Sequence, residues 1–176
     1  WTLADVFAYL AAREFDLHEA YTVYGSTRVS CCYCILAKRA DLKAAAACPD
    51  NHDIYRRMVR LEIQSAFSFQ DDQWLGDIAP HLLDKPMRWG LERAKIVAQV
   101  RETSEARIPE HLLYTEGWPT CIPTRGEAEI LCDVRRTVAM TMKLPMTFIQ
   151  PAELIGRYEE LMALKNAKPK RRARIR

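Results

Sequence analysis

No stretch of this chain approaches the roughly 20 consecutive apolar residues that span a bilayer, so a membrane-spanning helix is excluded on sequence grounds. The opening residues "WTLADVFAYL" lack the basic segment and small-residue cleavage site of a secretory signal. Cysteine is too sparse and too unevenly spaced for a secreted disulfide framework, with six in 176 residues. These absences point to a cytoplasmic, reducing setting, with thiols either free or metal-bound and with no membrane partner. Convincing alternation of polar and apolar residues is also missing, which argues against a fold built mainly of strands. There is no internal repeat and no sustained heptad pattern, which excludes solenoids and long coiled coils.

What is present is an ordinary globular balance, with 49% hydrophobic and 28% charged residues. The length suits one compact domain, or a domain with an accessory piece. The chain opens on Trp1 rather than methionine, so further N-terminal sequence is expected to precede it, and an active site could be shared with that piece. The net charge of +3 is unevenly placed. The last nine residues, "KPKRRARIR", carry six basic groups and no acidic one, which leaves 20 basic against 23 acidic residues in the body, a net of −3. Basicity is therefore a property of the tail. Residues 166 to 176 are expected to be disordered, and 168 to 176 are a candidate nucleic-acid contact through phosphate neutralisation.

The pattern predicts a mostly α protein. Thr2 and Asp5 are spaced as a capping box for a helix from about Leu3 to Glu14, with Trp1 and Val6 as a hydrophobic staple. A helical turn is expected from His18 to Val23, and a short strand or two in the N-terminal half. "AKRADLKAAAAC" has strong helix propensity. Pro49, Asp50 and Asn51 interrupt it, and "DIYRRMVRLEIQSAF" follows with Ile54, Met58, Leu61 and Ser65 on one stripe. "QDDQWLGDIAPHLLDKP" reads as loop and short turns, and "WGLERAKIVAQVRE" as another helix. "IPEHLLYTEGWPTCIPTRGE", rich in Pro and Gly, reads as a surface loop. Thr124 and Glu127 form a second capping box. Ala128, Leu131, Val134, Val138 and Met142 line the helix that follows, with Cys132 one residue off that stripe. Pro151 opens a last helix whose buried stripe is Leu154, Tyr158, Leu161 and Met162. Trp74, Trp89 and Trp118 are expected to anchor core or loops. By organisation, residues 1–48, 49–165 and 166–176 read as the end of a first domain, a helical extension and a basic tail.

The chemistry concentrates in "YGSTRVSCCYCILA", where Cys31, Cys32 and Cys34 fall within four positions. A C-x-x-C turn converges two thiolates, which suits zinc, an iron–sulfur corner or a redox dithiol. Cys48, with His52 four residues on, could complete such a set. Buried structural cysteines are the bland alternative. Arg28 precedes the knot, and a guanidinium suits bidentate contact with phosphate or sulfate.

These residues carry a resemblance. "W-x-x-x-D-V-F-x-Y" from Trp1 to Tyr9, "LHEAY" from Leu17 to Tyr21 and "G-S-T-R-V-S-C-C-Y-C-I" from Gly25 to Ile35 resemble the C-terminal half of the phosphoadenosine phosphosulfate reductase family. The likeness is to its phage- and mobile-element-associated branch. The later segments "EGWP", "P-T-x-x-E-A" and "VRRTVA…RYEEL" are similar to the helical extension of that branch. The resemblance implies the last part of a Rossmann-like α/β nucleotide-binding domain, followed by helices. It implies that the phosphate loop lies upstream, that Arg28, Tyr21 and His18 face a sulfonucleotide or ATP, and that Cys31, Cys32, Cys34 and Cys48 hold an iron–sulfur cluster or zinc. The E-C-G-x-H segment of the thiol-dependent reductases is absent. The resemblance implies sulfonucleotide reduction or sulfur transfer, with nucleic acid among the acceptors, while the absent segment favours the alternative that follows. The alternative is a non-catalytic helical protein that binds a protein partner or nucleic acid.

Overall fold

A computed structural model describes residues 1–71 and 73–167. Among them the chain is mostly helical, as the pattern predicts, with seven α-helices joined by short 3-10 turns. The expected strands do not form: the described residues show only isolated bridges, Gln70 with Gln73 and Thr115 with Trp118. No helix among the described residues is long and apolar enough to cross a membrane. The chain divides into two compact units, Trp1–Ala94 and Lys95–Arg176.

In the first unit, α1 (Leu3–Ala12) starts at the expected box. The Thr2 hydroxyl accepts the Asp5 N–H, and the Asp5 carboxylate accepts the Thr2 N–H. Trp1 stays exposed and meets the Tyr9 ring edge-on at 5.3 Å. No residue of α1 is buried. The one-turn α2 (Glu19–Thr22) is capped by His18, whose Nδ1 accepts the Ala20 N–H at 3.0 Å. Helices α3 (Arg39–Ala47) and α4 (His52–Ser65) are separated by the 3-10 turn Pro49–Asn51. The proline cannot continue a helix and redirects the chain there. The Asp84 carboxylate accepts the Met87 N–H at 2.7 Å at the start of α5 (Lys85–Glu105).

The core of this unit gathers Tyr33, Leu42, Tyr55, Val59, Leu75, Ile78, Met87 and Leu91. Each fully buried leucine among them contributes about 1.5–3 kcal/mol of transfer free energy. The buried face of α4 differs from the predicted one. Tyr55, Val59 and Glu62 point inward, while Ile54 and Leu61 are exposed. The cause is that two polar side chains are satisfied inside. The Tyr55 hydroxyl donates to the Leu75 carbonyl at 2.8 Å and accepts the Ala79 N–H at 3.0 Å. The Glu62 carboxylate accepts N–H groups from Phe69, Leu75 and Gly76. Together they knit α4 to the loop that follows it. Gly76 admits this close approach, since a Cβ there would lie 2.5 Å from Leu91 Cδ2. Trp74 packs against the core as expected, but Trp89 projects from α5 and is 78% exposed.

In the second unit, α6 (Arg125–Met142) and α7 (Pro151–Ala167) pack together. The Thr124–Glu127 box opens α6 as expected. The core is Leu112, Ala128, Leu131, Cys132, Leu154 and Tyr158. Cys132 is fully buried, so the inward stripe of α6 is wider than predicted. The segment read as a surface loop carries a 3-10 turn, Glu110–Leu112, and buries Leu112 and Pro119. Apolar anchors of this kind offset the entropy of ordering a long connection. Asn166 and Ala167, expected in the disordered tail, belong to α7, and the rest of that tail, residues 168 to 176, lies outside the described residues.

Candidate functional site

The residues from Gly25 to Ala37 form no helix or strand, and their geometry is set by side chains from α2 and α3. Gly25, at φ 68°, turns the chain out of α2, a conformation open to glycine without strain. Beyond it the loop folds onto Asp41, in the first turn of α3. One carboxylate oxygen, Oδ1, accepts the Thr27 N–H at 2.7 Å and lies 3.0 Å from the Thr27 hydroxyl. The Ser26 hydroxyl lies 3.1 Å from the same oxygen and 2.7 Å from the Arg28 carbonyl, so its single proton serves one of them at a time. Burial of Asp41 favours its neutral form. The Thr27 N–H, the two hydroxyls and the Arg28 charge together outweigh this and hold its carboxyl below the usual range. On the other flank of the loop the Tyr21 hydroxyl accepts the Val29 N–H at 3.2 Å, and Tyr21 in turn meets Phe7 of α1 edge-on.

Held on both sides, Arg28 turns its guanidinium along the loop. Its Nε and one terminal nitrogen, Nη2, donate to the Ser30 hydroxyl at 3.3 Å. Nη2 also donates to Cys34 Sγ at 3.1 Å. A guanidinium carries five N–H donors in a planar fork. Among the described residues, neither donor of the remaining Nη1 has a partner.

Beside this fork lies a cavity of about 250 Å³, lined by His18, Arg28, Cys31, Cys32, Asp41 and Cys48 among others. His18, Arg28 and three of the four predicted thiols thus share one concavity. Tyr21 and Cys34 are not among its lining residues; they hold Arg28 and its loop instead. The thiols sit differently: Cys31 is exposed, Cys32 and Cys34 are half-buried against the core, and Cys48 is buried at the end of α3. The neighbouring Cys48 side chain, with some desolvation, pushes the Tyr24 phenol up to about 12. Among the described residues no three His, Cys, Asp or Glu side chains are placed to hold a metal ion. Drawing the four sulfurs around iron or zinc would therefore require the loop to rearrange. The other two cysteines belong to the second unit, where Cys121 donates to the His111 carbonyl and burial pushes the Cys132 thiol up.

Sequence reasoning missed Ser26, Thr27, Asp41 and Tyr24. Asp41 left one signal, a carboxylate at a helix position flanked by residues of the buried face. The Ser-Thr pair it clasps lies about fourteen residues upstream, a distance that no local motif spans.

No family model matches the chain, and neither a curated protein nor a solved structure was found that matches it.

Proposed function

We propose that the chain is the C-terminal portion of a phosphoadenosine phosphosulfate reductase-like protein acting in nucleotide-activated sulfur chemistry, and that its cavity takes the sulfate or phosphate end of an adenine nucleotide. The observation that carries this reading is the Arg28 guanidinium, in contact with the Cys34 thiol at 3.1 Å and lining a cavity that also receives Cys31, Cys32 and Cys48. A cation suited to a tetrahedral oxyanion and a group of thiols stand side by side, which is what sulfonucleotide chemistry asks for. At about 250 Å³ the cavity falls just under the size range of about 300 Å³ and above where sites for whole small molecules begin. It suits the charged end of a nucleotide better than the entire molecule.

In this reading Arg28 holds the oxyanion through charge-assisted hydrogen bonds. Reductive release of sulfite from a sulfonucleotide takes two electrons. One thiolate attacks the sulfur as its S–O bond to the phosphate breaks; the second thiolate then attacks the first thiol's sulfur, forming the disulfide and releasing sulfite, and the two thiol protons pass to solvent and to the departing phosphate. Cys31 and Cys34, spaced C-x-x-C, are the pair assigned to that step. Iron–sulfur or zinc binding at the same cysteines stays a separate proposal, answered by elemental analysis of anaerobically purified protein. The exposed apolar side chains of α1, Leu3, Val6 and Tyr9, fit a helix that packs on the preceding part of such a nucleotide domain.

The test is calorimetric titration of the whole chain with sulfate, pyrophosphate, ATP and the 3′-phosphoadenosine sulfonucleotide. Saturable binding that weakens about 10- to 100-fold in Arg28→Ala is expected, since a hydrogen bond to a charged group is worth about 1.5–3 kcal/mol. No binding by any of the four, or binding indifferent to Arg28, overturns the reading and favours the alternative of a non-catalytic helical protein.

A further inference from the structure

We infer that Asp41 is the positioning residue of this site: by clasping Ser26 and Thr27 it fixes where the Arg28 guanidinium stands, and so sets both oxyanion affinity and the access of Cys34 to electrophiles. The inference rests on the reading of the cavity as an oxyanion site and adds to it a residue that need not touch the ligand through its own charge.

Asp41 is 6% exposed, an unusual place for a carboxylate, because burying a charge is costly unless it is paired and hydrogen-bonded. It is compensated almost wholly by one dipeptide. The Thr27 N–H reaches Oδ1 at 2.7 Å, the Thr27 hydroxyl lies 3.0 and 3.1 Å from the two oxygens, and the Ser26 hydroxyl lies 3.1 Å from Oδ1. The next residue in the chain is Arg28. Among the described residues nothing else in the loop ties its backbone to α3 so closely; the Tyr21 contact holds Val29 from the other side. A carboxylate lining an anion cavity repels the ligand, and here the Arg28 charge offsets part of that repulsion while the acceptors of Asp41 are engaged by the loop and serve geometry. Arg28, drawn by the same charge, keeps one edge on Ser30 and Cys34. Two consequences follow. Removing the clasp frees the loop and raises the cost of ordering Arg28 around an anion. It also loosens the contact that covers Cys34.

Two readouts on the full chain decide it: calorimetric titration with inorganic pyrophosphate, and the rate at which iodoacetamide modifies Cys34, followed by peptide mass mapping. Asp41→Ala is expected to weaken pyrophosphate binding at least fivefold and to change the Cys34 rate by a similar factor. Asp41→Asn keeps an acceptor for the Thr27 N–H and should recover part of both. Thr27→Val, which leaves α3 intact, should reproduce a smaller version of the Asp41→Ala effect and stands in if that variant melts early. Wild-type affinity and Cys34 rate in folded Asp41→Ala and Thr27→Val would overturn the inference alone. A wild-type chain that binds no anion removes the oxyanion reading and the affinity half of the inference with it. An Asp41→Ala effect on melting temperature without either readout moving would make Asp41 merely structural, and that also overturns it.

Discussion

Glu62 of α4 accepts the Gly76 N–H at 3.0 Å from fourteen residues away, inside the core of the first unit. The same carboxylate receives Leu75 at 2.7 Å and Phe69 at 2.8 Å, so a single side chain terminates three backbone donors. Replacing Glu62 by Gln places an amide N–H₂ against at least one of these donors. An unmatched buried polar group costs about 1–3 kcal/mol. Glu62→Gln should therefore lower stability by about that amount, read from urea midpoints at unchanged m-value. An unchanged midpoint would show that the loop 67–76 does not depend on this carboxylate.

Two buried carboxylates of the first unit should push its stability in opposite directions with pH. Burial raises the Glu62 carboxyl above its ordinary 4.5, against the pull of its three N–H partners. The part of its contribution that depends on ionisation is full below 4.5 and is lost as pH rises through the raised folded value. Asp41 is held below its ordinary 3.8, so its contribution is full above that value and is lost as pH falls through the lowered one. The melting difference between wild type and Glu62→Gln should shrink as pH rises above 4.5. The difference between wild type and Asp41→Asn should shrink as pH falls below 3.8. Melting temperatures across a pH series for the three proteins check both slopes, and parallel curves would refute them.

Arg28→Lys separates charge from geometry. Lysine keeps the positive charge but loses the planar fork that spans Ser30 and Cys34. If the oxyanion is held bidentately, Arg28→Lys should bind pyrophosphate about tenfold more weakly than wild type and still more tightly than Arg28→Ala. Equal affinity in wild type and Arg28→Lys would mean that a point charge suffices and that the fork serves Cys34 alone.

The helices were largely legible because their signals are local. Thr2 with Asp5 and Thr124 with Glu127 announced two helix starts that the structure reproduces, both boxes closing as spaced. The buried face of α4 was misread because apolar counting puts tyrosine and glutamate outside. Tyr55 and Glu62 are inside because backbone groups of residues 69 to 79 come to meet them, and that is a tertiary fact. The site divides the same way. Cysteine crowding and Arg28 stand out in the sequence, and the structure brings Arg28, Cys31 and Cys32 together with His18 at one cavity, Cys34 lying outside its lining. The clasp that orders them does not stand out, since Asp41 looks like any carboxylate in the first turn of a helix.

The basic tail makes a prediction independent of the fold. Six cationic side chains in nine residues, against a body of net −3, concentrate positive charge at one end of the chain. Each phosphate neutralised on duplex DNA steepens the dependence of log affinity on log salt by about 0.9. A chain that binds nucleic acid through residues 168–176 should therefore show a slope of several units in a fluorescence-polarisation titration with a short duplex. Deleting residues 168–176 should flatten that slope to near zero and weaken binding across all sequences alike, because phosphate contacts carry no sequence information. Retention of the full slope after the deletion would place the contact in the body of the protein. The basic side chains Arg56, Arg57 and Arg60, which cluster on α4, would then be the first to replace. No binding by the intact chain would remove nucleic acid as a partner of the tail and leave the segment without a role in the sulfur chemistry proposed for the first unit.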